Sequence, residues 1–276
     1  MRQLLLLSTL SLLACAPPAR LPRVDDAQEL GRFSLKHAHN DYEHKHALDD
    51  ALAAKFESVE ADLWLSPFNH IIVSHLGFPV KGKLKELYLE PLRALVAANG
   101  GSVHGDGKPF FLWLELKDNR KKLQDLLAAE LAEYDFLTQF DDNGEIKAGA
   151  VTVIILGDEP GKKRMADFPA PRPYTRDSHK YSPDDPPVDG KWGYYSLPYS
   201  HFMRWNGKGT IPDSERAQLE NLVNGAHATG RPIRLYGNPE TPEYWNAAKD
   251  AHMDFLNADK LRELEEAIVP VTADTR

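Results

Sequence analysis

The chain holds one cysteine, Cys15. No intramolecular disulfide can brace it, so a packed core has to carry the fold. Basic residues are in deficit, with 33 lysines and arginines against 41 aspartates and glutamates. The net charge of −8 is broken by no basic block, which excludes the electrostatic footprint of a nucleic-acid binder. Long apolar runs are scarce too. The stretch Leu4–Ala14 falls short of the roughly 20 apolar residues that a membrane-spanning helix needs.

At the amino terminus stand a basic Arg2, that short apolar stretch and then small residues and prolines, the pattern of an export signal. Leu12-Leu13-Ala14-Cys15 resembles the lipobox of bacterial lipoproteins, which implies lipidation of Cys15. On this reading residues 1–14 are a lipoprotein signal peptide, 15–32 a proline-containing tether and 33–270 one domain. The expected location is a bacterial membrane, with the protein facing the periplasm or the cell exterior and held there by its lipid anchor.

Strand-like apolar runs alternate with helix-like stretches along the domain, as in parallel βα units. Strands are expected at 33–37, 58–63, 71–75, 109–117, 151–156, 192–198, 233–236 and 255–257. Helical spacing recurs between most of them, for example in Leu123, Leu126, Leu127 and Leu131. Periodicity alone fits a doubly wound sheet equally well; the length of roughly 240 residues and the site residues favour a TIM-type (β/α)8 barrel. The proline- and charge-rich stretch 158–191 reads as an insertion, either a loop over the site mouth or a solvated excursion.

Chemistry concentrates at the expected strand ends. The first is followed by His37-Ala38-His39-Asn40-Asp41-Tyr42-Glu43-His44. In Ser58-Val59-Glu60-Ala61-Asp62-Leu63 strict alternation puts Glu60 and Asp62 on one face, about 7 Å apart. Phe111–Lys117 repeats the pattern, with Leu112, Leu114 and Leu116 outward and Glu115 and Lys117 inward. Unpaired buried charge costs several kcal/mol, so these carboxylates need a cation. Oxygen ligands suit Mg²⁺ or Ca²⁺ better than zinc. A further run, Ile71-Ile72-Val73-Ser74-His75, brings a second strand-end histidine, and two histidines beside a metal can supply an acid and a base.

At these residues the sequence resembles the glycerophosphodiester phosphodiesterase and phosphatidylinositol-specific phospholipase C-like superfamily, which includes the sphingomyelinases D. The motifs are HAHNDYEH, SVEADL, IVSH, LELK and, later, RLYGNPE and DFLNAD. They are most similar to a branch related to yeast altered inheritance of mitochondria protein six. The resemblance implies His37 and His75 as the acid–base pair, with spacings of 23 and 15 residues between His37, Glu60 and His75. It further implies Glu60, Asp62 and Glu115 as ligands of one divalent cation, Lys117 as a phosphate contact and Asn40 as a polar group near the phosphate. Glu43 would join the metal shell, and His39 is a further site candidate. The chain departs from the family's pattern at Leu76, where relatives carry aspartate after the second histidine, and in the tryptophan-led stretch 192–205 with Ser196 and His201.

The implied activity is metal-dependent cleavage of a phosphodiester, either a glycerophosphodiester or a phospholipid headgroup. Two other readings start from the same residues. His37-Ala38-His39 looks like the HxH pair of zinc amidohydrolases, and a barrel lipoprotein without catalysis would bind a ligand only.

Overall fold

A computed structural model describes residues 34–268. The expected signal peptide, Cys15 and the tether lie outside the described residues. Eight parallel strands form the barrel: β1 (Leu35–Ala38), β2 (Ser58–Leu65), β3 (Phe110–Leu116), β4 (Val151–Gly157), β5 (Thr175–Ser178), β6 (Trp192–Pro198), β7 (Ile233–Tyr236) and β8 (Phe255–Ala258). Each pairs with its sequence neighbour, and β1 pairs with both β8 and β2, so the sheet closes without an edge.

Period-two alternation builds the layers. In β2, Val59, Ala61 and Leu63 are fully buried against the outer helices, while Ser58, Glu60 and Asp62 point to the barrel axis. Below the polar mouth the axis is filled by Phe111, Trp113, Ile154, Leu156, Tyr194 and Phe255. Their rings meet edge-on, Phe111 and Trp113 lying 5.1 and 5.2 Å from Phe255, the arrangement that ring quadrupoles favour. This apolar floor shuts the lower barrel, so solvent reaches only the carboxyl ends of the strands. Among the described residues no helix is long and apolar enough to cross a membrane.

Two sequence expectations are corrected. Ile71–Val73 is a strand, but it runs antiparallel to β2, Leu63 facing Val73 and Leu65 facing Ile71, and pairs again with Gly82–Lys83. It belongs to a hairpin excursion of β2, not to the barrel. The turn at Pro67–His70, with Asn69 at φ 61°, is too short for the crossover a parallel strand requires.

The stretch 158–191 is likewise no simple insertion. It contains helix α1 (Glu159–Ala166), whose first turn is capped by Asp158 accepting from the Gly161 amide at 2.8 Å, and then barrel strand β5. Proline-rich residues 167–174 before β5 and residues 179–191 after it are irregular, and the second stretch stands where a βα unit would carry its helix. Its later part, from Pro186 to Trp192, is held where β6 and β7 begin, away from the mouth. Arg231 donates to the Pro186 carbonyl at 2.6 Å and to the Trp192 carbonyl at 3.0 Å, and stacks on the Trp192 ring.

Candidate active site

Glu60, Asp62 and Glu115 each offer an oxygen within 4.8 Å of the others. They come from adjacent strands in register, Asp62 opposite Glu115 and Glu60 opposite Trp113. Glu60 and Asp62 are buried. Burial pushes the Asp62 carboxyl up to about 6, reinforced by the Glu115 and Glu60 charges. One of its oxygens, Oδ1, is buried with no hydrogen-bond partner. The other accepts from the Tyr42 hydroxyl at 2.7 Å and faces the Lys117 ammonium at 3.3 Å. Three hard oxygen donors, one of them orphaned, have the chemistry of a divalent-cation site.

Two cations border the cluster. Lys117, 2.9 Å from Glu115, is held above its usual pKa: burial opposes its charge, but Glu115 and Asp62 outweigh it. Arg234 is the residue that sequence alone did not assign. It is almost fully buried, donates to Glu60 at 2.5 Å and to Ser196 at 2.7 Å, and lies over the Trp113 ring. Burial alone would raise the Glu60 pKa; the Arg234 charge holds it well below the usual range. The signal was present as alternation in β7, where Ile233 and Leu235 face out and Arg234 and Tyr236 face in.

One of the two expected histidines does not sit where expected. His37 is completely buried. Its Nδ1 lies 2.7 Å from Ser58 Oγ, and its Nε2 contacts Arg234 and, at 3.2 Å, Glu60. A guanidinium only donates, so Nε2 accepts and the proton sits on Nδ1. Burial first and the Arg234 charge second depress its pKa to about 3. With both ring nitrogens engaged beneath the carboxylates, His37 cannot reach a substrate. The acid–base expectation for it is corrected.

His39, one layer higher, lines the mouth. Its Nδ1 donates to Asp259 Oδ1 at 2.8 Å. Burial works against its protonation, but Asp259 and the Glu60 charge hold its pKa above the usual value. His75 stands on the other side of the cluster, half exposed, with Nδ1 3.1 Å from Asp62 Oδ2 and 3.2 Å from the Tyr42 hydroxyl. Asn40, in the left-handed region at φ 47°, has its Oδ1 3.0 Å from the Tyr42 hydroxyl and lines a groove beside His75. Glu43 is not in the cluster: it is exposed and paired with Lys81 at 2.8 Å, which removes it as a ligand.

The mouth is a cavity of about 250 Å³. Besides His39, Lys117, Glu60 and Glu115, the residues Asp177, His179, Ser196 and Tyr236 line it. Asp177 and His179 come from the stretch read as insertion. Burial pushes Asp177 up to about 6 although the buried Lys162 ammonium donates to it at 2.8 Å. His201, by contrast, is exposed and outside the cavity. Gly157 ends β4 at φ +126°, where an added Cβ would lie 2.9 Å from the Leu116 carbonyl; only glycine lets the two strands close up there.

A sequence model of the AIM6-like phosphodiesterase domain matches residues 33–167, the part of the chain that carries the histidines and all three carboxylates. Over these residues the chain is similar to that phosphodiesterase family. It is also similar to altered inheritance of mitochondria protein 6 of Candida glabrata, at 24% identity over 82% of this chain and 69% of the relative. The Saccharomyces cerevisiae protein of that name is 26% identical over 82% of this chain and 68% of its own length.

Solved structures share the fold. A glycerophosphodiester phosphodiesterase from Parabacteroides distasonis aligns with a TM-score of 0.50 at 13% identity over 84% of this chain and 95% of that one. A candidate enzyme of the class from Silicibacter pomeroyi aligns with a TM-score of 0.54 at 13% identity over 85% of this chain and 92% of that one. These relatives also correct the expected location. The curated proteins matched are yeast proteins whose name refers to mitochondria, not bacterial lipoproteins, and the bacterial membrane assignment is withdrawn.

Proposed function

We propose that this chain cleaves a phosphodiester with the help of one divalent cation, Mg²⁺ or Ca²⁺, held by Glu60, Asp62 and Glu115. The observation that carries the reading is the pairing of these carboxylates with two accessible histidines, each oriented by a carboxylate: His39 by Asp259 and His75 by Asp62. When bound, the cation supplies charge neutralisation at the phosphate oxygens. Lys117, free to turn from Glu115 toward a ligand, adds a second positive charge there.

His39 and His75 are the acid and the base. Asp259 favours the protonated form of His39, which therefore gives its proton to the departing alkoxide; His75 takes the proton of the attacking hydroxyl, whether the substrate's own or water. His37 supports the reaction indirectly by bridging Ser58 and Arg234 beneath Glu60.

The substrate class supported is a glycerophosphodiester or a phospholipid-like diester. The zinc reading loses its HxH pair, because His37 has no free nitrogen to offer a metal. Cation-depleted protein should be inactive on a phosphodiester panel and recover with Mg²⁺ or Ca²⁺, and phosphorus NMR should show either a monoester or a cyclic phosphate. Turnover undiminished after depletion, or recovery with Zn²⁺ alone, refutes the assignment.

A further inference from the structure

Five large apolar side chains are prominently exposed among the described residues, and four of them, Phe68, Leu76, Phe78 and Val80, lie on the one hairpin excursion between β2 and β3. Scattered exposed hydrophobics need no explanation; their concentration beside a site does. Leu76 and Phe78 are 76% and 82% exposed, yet the loop that shows them is ordered by its own contacts. Ser74 Oγ donates to the Pro79 carbonyl at 2.9 Å, Trp64 Nε1 to the Ser74 carbonyl at 2.8 Å, and Gly77 sits over the Trp64 ring. The apolar groups are thus held outward, which lowers the ordering cost of binding.

With His75, Asn40 and Pro79, these two residues line a groove of about 380 Å³. It shares His75 with the active site, and the His75 ring reaches Asp62. The charges at its border, Lys81 and Glu43, neutralise each other at 2.8 Å, so nothing there selects an ionic ligand. The barrel mouth on the far side of the cluster is instead lined by Asp177, Ser196, Lys117 and Tyr236. A diester spanning the carboxylate cluster would meet a polar wall on one side and an apolar groove on the other.

We infer that this groove is a subsite for the apolar arm of the substrate, and that the substrate is an amphipathic phosphodiester carrying a hydrocarbon chain on one of its alcohols. The inference rests on the phosphodiesterase reading. It also accounts for the exposure of Leu76, which presents a hydrocarbon surface next to the exposed histidine.

The test compares kcat/KM on glycerophosphocholine with that on its 1-hexanoyl ester, both monomeric in solution. Wild-type protein should prefer the acylated compound at least tenfold, through KM, since burying a methylene is worth roughly fourfold in binding. Leu76→Asp and Phe78→Ser should bring the ratio of the two substrates to within about twofold of unity. Phe68→Ser, on the same hairpin but outside the groove, should keep the preference.

Equal rates on the two compounds by wild-type protein, or a preference untouched by Leu76→Asp, overturns the subsite. A preference that appears only with vesicles or micelles overturns it in favour of surface docking. Absence of turnover on every diester sinks the phosphodiesterase reading itself, and so separates the two failures.

Discussion

His39 and Asp259 form a hydrogen bond of 2.8 Å across 220 residues of sequence. It joins the residue after the first barrel strand to the residue after the last, where the His39 amide also donates to the Ala258 carbonyl at 3.0 Å. Barrel closure itself therefore assembles the dyad, and a histidine so held has its tautomer and ring orientation fixed before substrate arrives.

From this follows the first expected outcome. His39→Ala should lower kcat by about 10²- to 10⁴-fold, the usual worth of a positioned acid or base, with the melting temperature little changed because the side chain is at the mouth. Asp259→Asn should leave the fold intact and move the His39 titration, followed by proton NMR of the imidazole, to lower pH. A His39 pKa that stays put in Asp259→Asn would remove Asp259 from the site.

Much of this was legible in the sequence, and the failures have physical causes. Glu60, Asp62 and Glu115 could be read because period-two alternation puts carboxylates against a run of outward aliphatics. The same alternation places 35, 37 and 39 on one face, but nothing in it says how high the apolar floor rises, and that height decides which of His37 and His39 is accessible. Ile71–Val73 is as apolar as a barrel strand; only the shortness of the preceding turn marks it as a hairpin return. β5 was missed because Thr-Arg-Asp-Ser lacks apolar character, its inward Asp177 being buried through Lys162 rather than through hydrophobicity. Arg234 escaped for a related reason, since one buried arginine in a short aliphatic strand reads as surface until its partner Glu60 is placed beside it.

The buried imidazole of His37 makes a second, separable prediction about pH. Its folded pKa, about 3, lies below the roughly 6.5 of an unfolded histidine. Between those values the unfolded chain binds the extra proton, so its contribution is complete above pH ~6.5 and is lost as pH falls toward 3, by up to about 1.4 kcal/mol per pH unit. The carboxyls of Asp41, Asp62 and Asp177, pushed up to about 6, act in the opposite sense over pH ~4–6, because there the folded state is the one holding protons. The clean measurement is therefore a difference. Urea denaturation from pH 4 to 7 should show a shallower acid loss in His37→Gln than in wild-type protein. Parallel slopes would mean that His37 titrates normally.

Cation binding should couple to the same pH range. Because Asp62 is protonated at about pH 6 when no ion is bound, Mg²⁺ or Ca²⁺ must displace its proton. Affinity measured by calorimetry should fall below pH 6, with proton release visible as a dependence of the heat on buffer ionisation. At 100 times the dissociation constant the ion adds about 2.7 kcal/mol, or some 5–10 °C in melting temperature for a domain of this size. Asp62→Asn should abolish that shift; a shift retained in Asp62→Asn places the ion elsewhere.

Arg234 offers the sharpest test of how the site is supported, because its removal separates charge from geometry. Arg234→Leu fits an aliphatic side chain over Trp113 but leaves Glu60 buried at 2% exposure without its cation. Breaking a buried pair in this way costs about 3–5 kcal/mol, which corresponds to roughly 6–20 °C in melting temperature. Arg234→Lys keeps the charge but not the fork that reaches Ser196, Glu60 and Asn257 together, so it should recover stability better than it recovers turnover. The discriminating observation is rescue. A divalent cation gives Glu60 a replacement counter-charge, so Mg²⁺ or Ca²⁺ should raise the melting temperature of Arg234→Leu more than that of wild-type protein. Equal shifts would show that Arg234 and the bound ion act on different carboxylates.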